Sequence, residues 1–315
     1  MKIGFYCDIH LSNYTEHPDQ YVYLHGKHSA TGYYYWILKN NSELDVHLIH
    51  DREEIDDHDA IVFHYDDRDV IDSFRGIKIQ VVSDRPCVSD CDVYVAANQC
   101  VFTNKFNAEL VKIYGVTNIL NTWIADKSKW KFVHYPPTFG VKKCDPEWPP
   151  VTFKFVGRES TNIPAMLSNQ TRIECEKLGA NLVFDFTGDG NTGDEDVYFC
   201  VREPFYKGKT TDMQSNCGPG GHKTANRLYQ TWFMNTPGIF NNSPEMYSIR
   251  TSEYDYLIAN DVTQFLDCVE RLRTDEILFN RMVETSKQKT FDNPYHDITI
   301  IVDQWNQVIE YLHEK

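Results

Sequence analysis

The sequence has no run of about 18 consecutive apolar residues, the length that a membrane-spanning helix requires. Its first residues, MKIGFYCDIHLS, include neither a basic leader nor a small-residue cleavage site, so we expect a first β-strand there rather than a signal peptide. The predicted localisation is therefore cytoplasmic, with peripheral contact to a membrane left open.

An excess of positive charge is also lacking. Lysine and arginine together number 31 against 46 aspartate and glutamate, and the formal net charge is −15. Proteins that bind nucleic acids usually present a basic face. The charge therefore disfavours large polyanionic partners, including a DNA duplex as acceptor, whereas a few local cations are enough to bind a small phosphorylated ligand.

The cysteines form no metal-binding pattern. There are 9 of them, scattered along the chain, and Cys87 and Cys91 are the only close pair, with no second pair to complete a zinc site. We expect reduced thiols and no bound metal ion.

What the sequence does contain is an alternation of short apolar runs with helical segments. In the first half the predicted strands are residues 2–7, 45–50, 59–65, 77–83, 92–98 and 118–124, and the predicted helices are residues 31–41 and 104–115. The strand segments are rich in Val and Ile, which is typical of strands buried on both faces of a parallel sheet. A chain of 315 residues is expected to form about two domains.

Five prolines interrupt the alternation at residues 135–150, YPPTFGVKKCDPEWPP. Such a segment continues neither a helix nor a central strand, and we interpret it as the linker between two domains. The predicted domains are residues 1–140 and 141–296. Residues 297–315 are predicted to form a terminal amphipathic helix that packs back on the first domain.

The alternation resumes after the linker. The predicted strands are residues 151–157, 181–186, 196–201, 238–240 and 254–259, and the predicted helices are residues 163–179 and 222–234, followed by one broken or two short helices. The predicted fold class is α/β, with two Rossmann-like, doubly wound domains facing each other across a cleft. A ligand is expected at the carboxyl ends of the strands.

One segment of the second half combines glycines with cations. Lys223, Arg227 and Gln230 recur at helical spacing after a glycine-rich loop that ends at Gly221, and we expect them to face outward while an apolar stripe packs on the sheet. Glycines let a backbone approach a phosphate closely, and a helix N-terminus favours an anion. The pattern predicts a diphosphate site, although an ordinary solvated helix face has the same spacing.

Two further cations follow strands of the same predicted domain. Arg158 comes after VTFKFVG, and Arg202 comes directly after DVYFCV. The carboxyl ends of parallel strands form the functional edge of such a sheet. We therefore expect four cations, from four segments, to converge on one ligand.

Four segments occur in the order found in the nucleotide-binding half of GT-B glycosyltransferases: FVGRES, DVYFCVREPF, HKTANRLYQTWFMNTPGIF and EYDYLIANDVTQFLDCVERL. Together with the linker HYPPTFG, they resemble the retaining family-4 type over most of residues 130–315, whereas the first half shows little likeness. The resemblance implies that the first domain binds an acceptor and the second binds a nucleotide sugar.

The nucleotide-sugar site that this resemblance implies consists of Gly157, Arg158, Arg202, Gly221, His222, Lys223, Arg227, Gln230 and Glu245. The family often has two glutamates where this chain has His222 and Gln230. Gln230 is expected to hydrogen-bond a ribose hydroxyl, more weakly than a carboxylate would. A Glu-x7-Glu spacing at Glu245 and Glu253 lies after the Thr-Pro turn, and we interpret it as coincidence, with Glu245 still expected near the cleft.

The predicted catalytic residues are His64, Arg158 and Lys223. The cations are expected to stabilise the departing diphosphate in place of a metal ion. The Asp-x-Asp triplet at residues 90–92 is of the kind that metal-dependent GT-A enzymes use, and here it is expected to be fortuitous. His64 ends a predicted strand and is expected to contact a sugar, although a surface histidine would fit the same pattern.

The acceptor side is expected in the first domain, at His28, Asp84 and Arg85. In a retaining enzyme of this kind, the acceptor loses its proton to the departing phosphate, as the resemblance implies. The predicted function is a hexosyl- or pentosyltransferase of glycan biosynthesis. It uses a UDP- or GDP-linked sugar, a saccharide or glycan acceptor, and no cofactor.

Two other functions remain open from the sequence. One is a sugar-nucleotide epimerase of the same shape, and the other is a non-enzymatic two-domain protein that binds a small anion. The sequence gives no indication of the oligomeric state.

Overall fold

The structure is a computed structural model that describes residues 1–7, 27–64, 71–82, 91–97, 127–134, 142–156, 163–186, 193–201, 225–241, 244–292 and 297–314. These residues fall into two compact units. The first unit holds the described residues up to 134 together with 297–314, and the second holds those from 142 to 292.

The first unit is built on a parallel sheet of six strands. They are β1 (Ile3–Tyr6), β2 (Val46–Ile49), β3 (Ala60–His64), β4 (Ile77–Val82), β5 (Val93–Ala96) and β6 (Trp130–Phe132). Their order across the sheet is β2-β1-β3-β4-β5-β6, and every neighbouring pair is parallel. Helix α1 (Lys27–Asn41) connects β1 to β2 and packs on both.

Burial explains why these apolar runs form strands. All residues of β1, β3 and β5 are buried, as expected for strands covered on both faces. The five strands predicted between residues 2 and 98 are confirmed, whereas β6 lies beyond the predicted strand at 118–124. That predicted strand and the predicted helix at 104–115 are outside the described residues.

The second unit has a parallel sheet of five strands. They are β7 (Thr152–Val156), β8 (Asn181–Asp185), β9 (Val197–Cys200), β10 (Gly238–Phe240) and β11 (Leu257–Ile258), in the order β11-β10-β9-β7-β8. The described helices of this unit are α2 (Asn169–Lys177), α3 (Asn226–Met234), α4 (Pro244–Ile249), α5 (Val262–Thr274) and α6 (Glu276–Asp292). Neither α4 nor the shortness of β11 was expected from the sequence.

Local caps set the ends of these helices. The predicted helix at 163–179 is divided, because the Ser168 hydroxyl accepts from the Thr171 N–H at 3.1 Å and starts α2 after a short 3₁₀ turn. Gly179 ends α2 with φ +75°, a conformation that glycine adopts without strain. Asp275 separates α5 from α6, and its Oδ1 accepts from the Leu278 N–H at 2.9 Å.

The last described helix, α7 (Ile298–His313), belongs to the core of the first unit. Its Trp305 ring lies 5.5 Å from the Phe5 ring and 5.3 Å from the Tyr34 ring, both edge-on. Gln304 accepts a 2.9 Å hydrogen bond from the His134 N–H, where β6 leads toward the linker. The helix therefore ties β1, α1 and the end of the first sheet together.

Candidate functional site

In each sheet the strand order reverses once. The reversal lies between β1 and β3 in the first unit and between β7 and β9 in the second. At such a switch point the crossover connections leave in opposite directions, which opens a crevice outside the carboxyl ends of the two strands. Each unit therefore has one topologically defined place for a ligand.

The strand ladder of the second sheet stops short at its switch point. The last β7–β9 pair is Lys154 with Tyr198, although β7 continues to Val156 and β9 to Cys200. On its other side, β7 stays paired with β8 up to Val156. The sheet is therefore opened at its carboxyl edge, between the two strands that precede Arg158 and Arg202.

The first sheet shows the same opening. Its last β1–β3 pair is Phe5 with Val62, whereas β1 extends to Tyr6 and β3 to His64. On the far side, β3 remains paired with β4 through His64. His64, predicted to contact a sugar, thus ends a strand at the switch point, and it is only 3% exposed.

Arg227 fills the opening of the second sheet. Its Nη1 donates to the Val156 carbonyl at 2.8 Å and to the Tyr198 hydroxyl at 2.6 Å. The Tyr198 hydroxyl in turn donates to the same carbonyl at 3.2 Å. The guanidinium also lies 5.1 Å from the centroid of the Phe155 ring, a cation–π distance. A buried cation is thereby fixed at the carboxyl end of β7.

This position corrects the expected orientation of the cationic helix. The helix begins at Asn226 rather than near residue 222, and seven of its nine residues are buried, including Arg227 and Gln230. The outward stripe expected at those two positions is wrong, because Gln230 is buried and Arg227 faces the sheet, where it contacts the Val156 carbonyl and the Tyr198 hydroxyl. Helix α6 packs against α3 as well. The hydroxyls of Ser286 and Thr290, both on α6, bond to carbonyls at the end of α3 and just after it.

Gln230 has an unusual environment for an amide. The side chain is buried, with 5% of its surface exposed, and its Nε2 has no acceptor among the described residues. A buried donor left without an acceptor is unfavourable by about 1–3 kcal/mol. An acceptor from a ligand, or from residues outside the described ranges, would satisfy this donor.

Several predicted site residues lie outside the described residues: Gly157, Arg158, Arg202, Gly221, His222, Lys223, Asp84 and Arg85. The backbone positions of two others are described, since His28 lies in the first turn of α1 and Glu245 lies in α4. Their roles remain predictions. The strand ends that precede Gly157 and Arg202 are described, and they flank the opening in the second sheet.

Two residues near the switch points were not singled out from the sequence. His50 directly follows β2, and its Nδ1 lies 3.3 Å from the Cys7 carbonyl at the end of β1. In the neutral ring this hydrogen bond assigns the proton to Nδ1 and leaves the lone pair on Nε2. Tyr198 gives no sequence signal beyond its place in the apolar run DVYFCV.

The described cysteines are buried, and none of them forms a disulfide with another described cysteine. Burial raises the pKa of Cys91 and of Cys175 to about 12 and that of Cys268 to about 11, so these three are protonated at neutral pH. In the part of the chain that the structure describes, no group of three or more His, Cys, Asp or Glu residues is arranged to hold a metal ion. Within the same ranges, no helix is both long and apolar enough to cross a membrane.

No protein-family model and no curated protein matches the sequence of this chain. Solved structures do match it. HepE from Anabaena, in complex with UDP and glucose, is 9% identical with a TM-score of 0.59, over 98% of this chain and 99% of HepE. The complex of HepE with UDP-glucose matches with a TM-score of 0.53, over 84% of this chain and 81% of HepE.

Two further structures show the same architecture. The lipopolysaccharide outer core galactosyltransferase WaaB, in its apo form, is 9% identical with a TM-score of 0.53 and covers 99% of both chains. A glycosyltransferase from Rickettsia africae is 9% identical with a TM-score of 0.51, over 84% of this chain and 80% of its own. Identities this low bear on the fold alone. Two parallel α/β sheets of Rossmann type and these neighbours show that the chain has the GT-B fold of glycosyltransferases.

Proposed function

We propose that this chain is a glycosyltransferase that moves a sugar from a nucleotide-diphosphate sugar to a hydroxyl of a saccharide or glycan. The observation that carries the proposal is the opening of the second sheet between β7 and β9. Arg158 and Arg202 follow these two strands. An opening at a switch point, between two strands that are each followed by an arginine in the sequence, suits the phosphates of a nucleotide.

The donor is proposed to be UDP- or GDP-linked. The HepE structures, which hold UDP with glucose or UDP-glucose, favour uridine as the first base to test. In this chain the buried Gln230 amide is proposed to bond a ribose hydroxyl, and His222, Gly221 and Glu245 are proposed to line the same site. A ribose hydroxyl would satisfy the Gln230 donor that has no acceptor among the described residues.

The departing diphosphate is proposed to be stabilised by cations of the protein. Arg158, Arg202 and Lys223 supply positive charge where negative charge develops, which is the electrostatic part of catalysis. We propose that no metal ion is required and that no cofactor takes part. Addition of EDTA is then expected to leave the rate of transfer unchanged.

The acceptor is proposed to bind at the first unit. His64 ends β3 at the switch point, and Asp84 and Arg85 follow β4 in the sequence, while His28 lies at the start of α1. We propose retention of the anomeric configuration, in which the acceptor hydroxyl loses its proton to the departing phosphate. NMR of the first-formed product distinguishes retention from inversion.

The proposal is tested first by thermal stabilisation of the purified chain with UDP, GDP, free glucose and inorganic phosphate, each tested alone. A rise in melting temperature with a nucleoside diphosphate supports a nucleotide-sugar enzyme. A response to sugar or phosphate alone contradicts it and indicates a small-anion binding protein. Product analysis with UDP-glucose and no acceptor then detects an epimerase, because only an epimerase forms an isomeric sugar nucleotide.

Variants sharpen the test. Arg158→Ala, Arg202→Ala and Lys223→Ala are expected to lower kcat/KM with UDP-glucose at least about a hundredfold each. Arg271→Ala is the matched control, since Arg271 is exposed in the last turn of α5. Arg227 is left out of this set because it is buried. Unchanged turnover in all three variants would contradict the proposal.

A further inference from the structure

We infer that Tyr198 and Arg227 are positioning residues that hold the carboxyl end of β7, and with it the start of the segment that carries Arg158. The inference rests on the proposed function and adds to it two residues that are buried in the sheet. Neither residue needs to touch the donor. Both act through the carbonyl group of Val156.

The backbone carbonyl at the end of β7 lacks a partner strand on the β9 side. Where the β7–β9 ladder stops at Lys154 and Tyr198, the two strands no longer satisfy each other's backbone groups. A buried carbonyl requires a donor, and Val156 is fully buried. The donors come from the side chains of Arg227 and Tyr198, at 2.8 Å and 3.2 Å.

The Arg227 guanidinium, the Tyr198 hydroxyl and the Val156 carbonyl form a closed ring of hydrogen bonds. Nη1 of Arg227 has two N–H groups. One donates to the Val156 carbonyl and the other donates to the Tyr198 hydroxyl. The Tyr198 hydroxyl donates its own hydrogen to the same Val156 carbonyl. The planar guanidinium fixes both directions at once, which a lysine ammonium on a flexible chain does not. The Phe155 ring supports the guanidinium from its face. The position of Val156 is therefore defined by three mutually bonded groups.

This hydrogen-bonded group lies next in sequence to two residues of the proposed nucleotide site. Val156 is the last residue of β7, two positions before Arg158, and Arg227 lies in the first turn of α3, four positions after Lys223. One hydrogen-bonded group thus joins the two segments that bring two of the proposed phosphate contacts. Loss of the group is expected to loosen the end of β7 and the start of α3 without removing either cation.

The decisive experiment uses Tyr198→Phe and Arg227→Lys in the full chain. The phenylalanine keeps the ring that packs against Phe240 at 6.1 Å and removes only the hydroxyl. Tyr256→Phe is the matched control, because Tyr256 is also fully buried in the second unit, near β11. UDP affinity by calorimetry, and kcat and KM with UDP-glucose, are measured below the melting temperature of every variant.

Tyr198→Phe is expected to weaken UDP binding and raise the KM for UDP-glucose by about three- to tenfold, the effect of one hydrogen bond, and Arg227→Lys by more. Tyr256→Phe is expected to bind UDP as the wild type does. Wild-type affinity in Tyr198→Phe, or an equal loss in the control, overturns the inference, because a merely structural hydroxyl changes the melting temperature alone.

Hydrogen exchange provides a second readout that needs no ligand. In Tyr198→Phe the amides of Phe155 and Val156, at the carboxyl end of β7, are expected to exchange faster than in the wild type, while those at the start of β8 keep their protection. Unchanged exchange at Phe155 and Val156 contradicts the inference even if the wild type binds no nucleotide. Absence of nucleotide binding in the wild type, together with faster exchange in the variant, contradicts the proposed function alone.

Discussion

Lys154 Nζ lies 2.8 Å from Glu195 Oε1, and these side chains are only 5% and 0% exposed. Burial by itself would lower the pKa of Lys154, but its contact with the Glu195 carboxylate raises it above its ordinary value. The second carboxylate oxygen accepts from the Gly193 N–H at 3.1 Å and from the Cys144 thiol at 3.3 Å. The pair therefore connects β7 with the segment before β9 and with Cys144, which lies within the predicted linker.

Removal of one partner of this pair is expected to destabilise the second unit strongly. Glu195→Ala leaves the buried Lys154 charge with only the exposed Asp194 carboxylate, 3.5 Å away, as a counterion. The loss of the buried partner is expected to reduce the free energy of unfolding by up to about 3–5 kcal/mol. Urea unfolding, followed by hydrogen exchange of β7 and β9, measures the loss.

The matched double variant is Lys154→Met with Glu195→Gln. It removes both charges and keeps an amide oxygen for the Gly193 N–H. Because no buried charge is left alone, we expect it to recover most of the stability that Glu195→Ala loses. A double variant as unstable as Glu195→Ala would show that the charges are not the cause.

The Trp305 side chain is expected to stabilise the first unit selectively. Trp305→Ala removes the ring that packs edge-on against Phe5 and Tyr34, and a truncation of this size in a core is unfavourable by about 3–5 kcal/mol. Hydrogen exchange should show loss of protection in β1 and α1 but not in β7 and β9. Gln307→Ala, on the exposed face of the same helix, is the control and is expected to change neither unit.

The strands could be predicted because the residue types that favour them are consecutive in the sequence. Runs such as DAIVFHY and VTFKFVG are β-branched and aromatic, and strands of that composition are buried on both faces of a parallel sheet. Short elements gave weaker signals. Only two residues of the strand predicted at 254–259 pair with β10. Helix α4 has six residues, too few for a helical repeat to identify it in the sequence.

Arg227 shows why the candidate site was harder to predict. A cation four residues after another in an amphipathic segment is usually solvated, and its spacing alone predicts an exposed stripe. What buries it is its contact with the strand ends, through the Val156 carbonyl, the Tyr198 hydroxyl and the Phe155 ring, at the point where the strand ladder stops early. Tyr198 is similar, since its hydroxyl matters only once the fold brings Val156 beside it.

His134 is expected to make the stability of the first unit depend on pH. Its Nδ1 lies 3.0 Å from Gln304 Oε1, and burial lowers its pKa below the ordinary value of 6.5. The unfolded chain then binds the proton more tightly than the folded chain. Stability is therefore constant well above pH 6.5 and falls as the pH drops from there toward the lower pKa of the folded state.

The test compares the wild type with His134→Asn. The asparagine retains a side-chain N–H donor for Gln304, and its amide does not titrate between about pH 5 and pH 7.5. Unfolding free energies are measured in urea at intervals from about pH 7.5 to pH 5. The wild type is expected to lose stability relative to the variant as the pH falls. A difference between them that stays constant across this interval contradicts the assignment to His134.

The Gln230 side chain is expected to strengthen UDP binding and to lower the stability of the unliganded protein. Gln230→Leu removes a buried donor that has no acceptor among the described residues, so the unliganded variant should be as stable as the wild type or more stable, by up to about 1–3 kcal/mol. UDP affinity should fall about three- to tenfold, because the ribose loses its partner. Thr231→Val, which removes the 2.7 Å bond to the Arg227 carbonyl on the same helix, is the control and should lower stability without weakening UDP binding. If Gln230→Leu instead loses stability and binds UDP normally, the amide serves the packing of α3 and not the nucleotide.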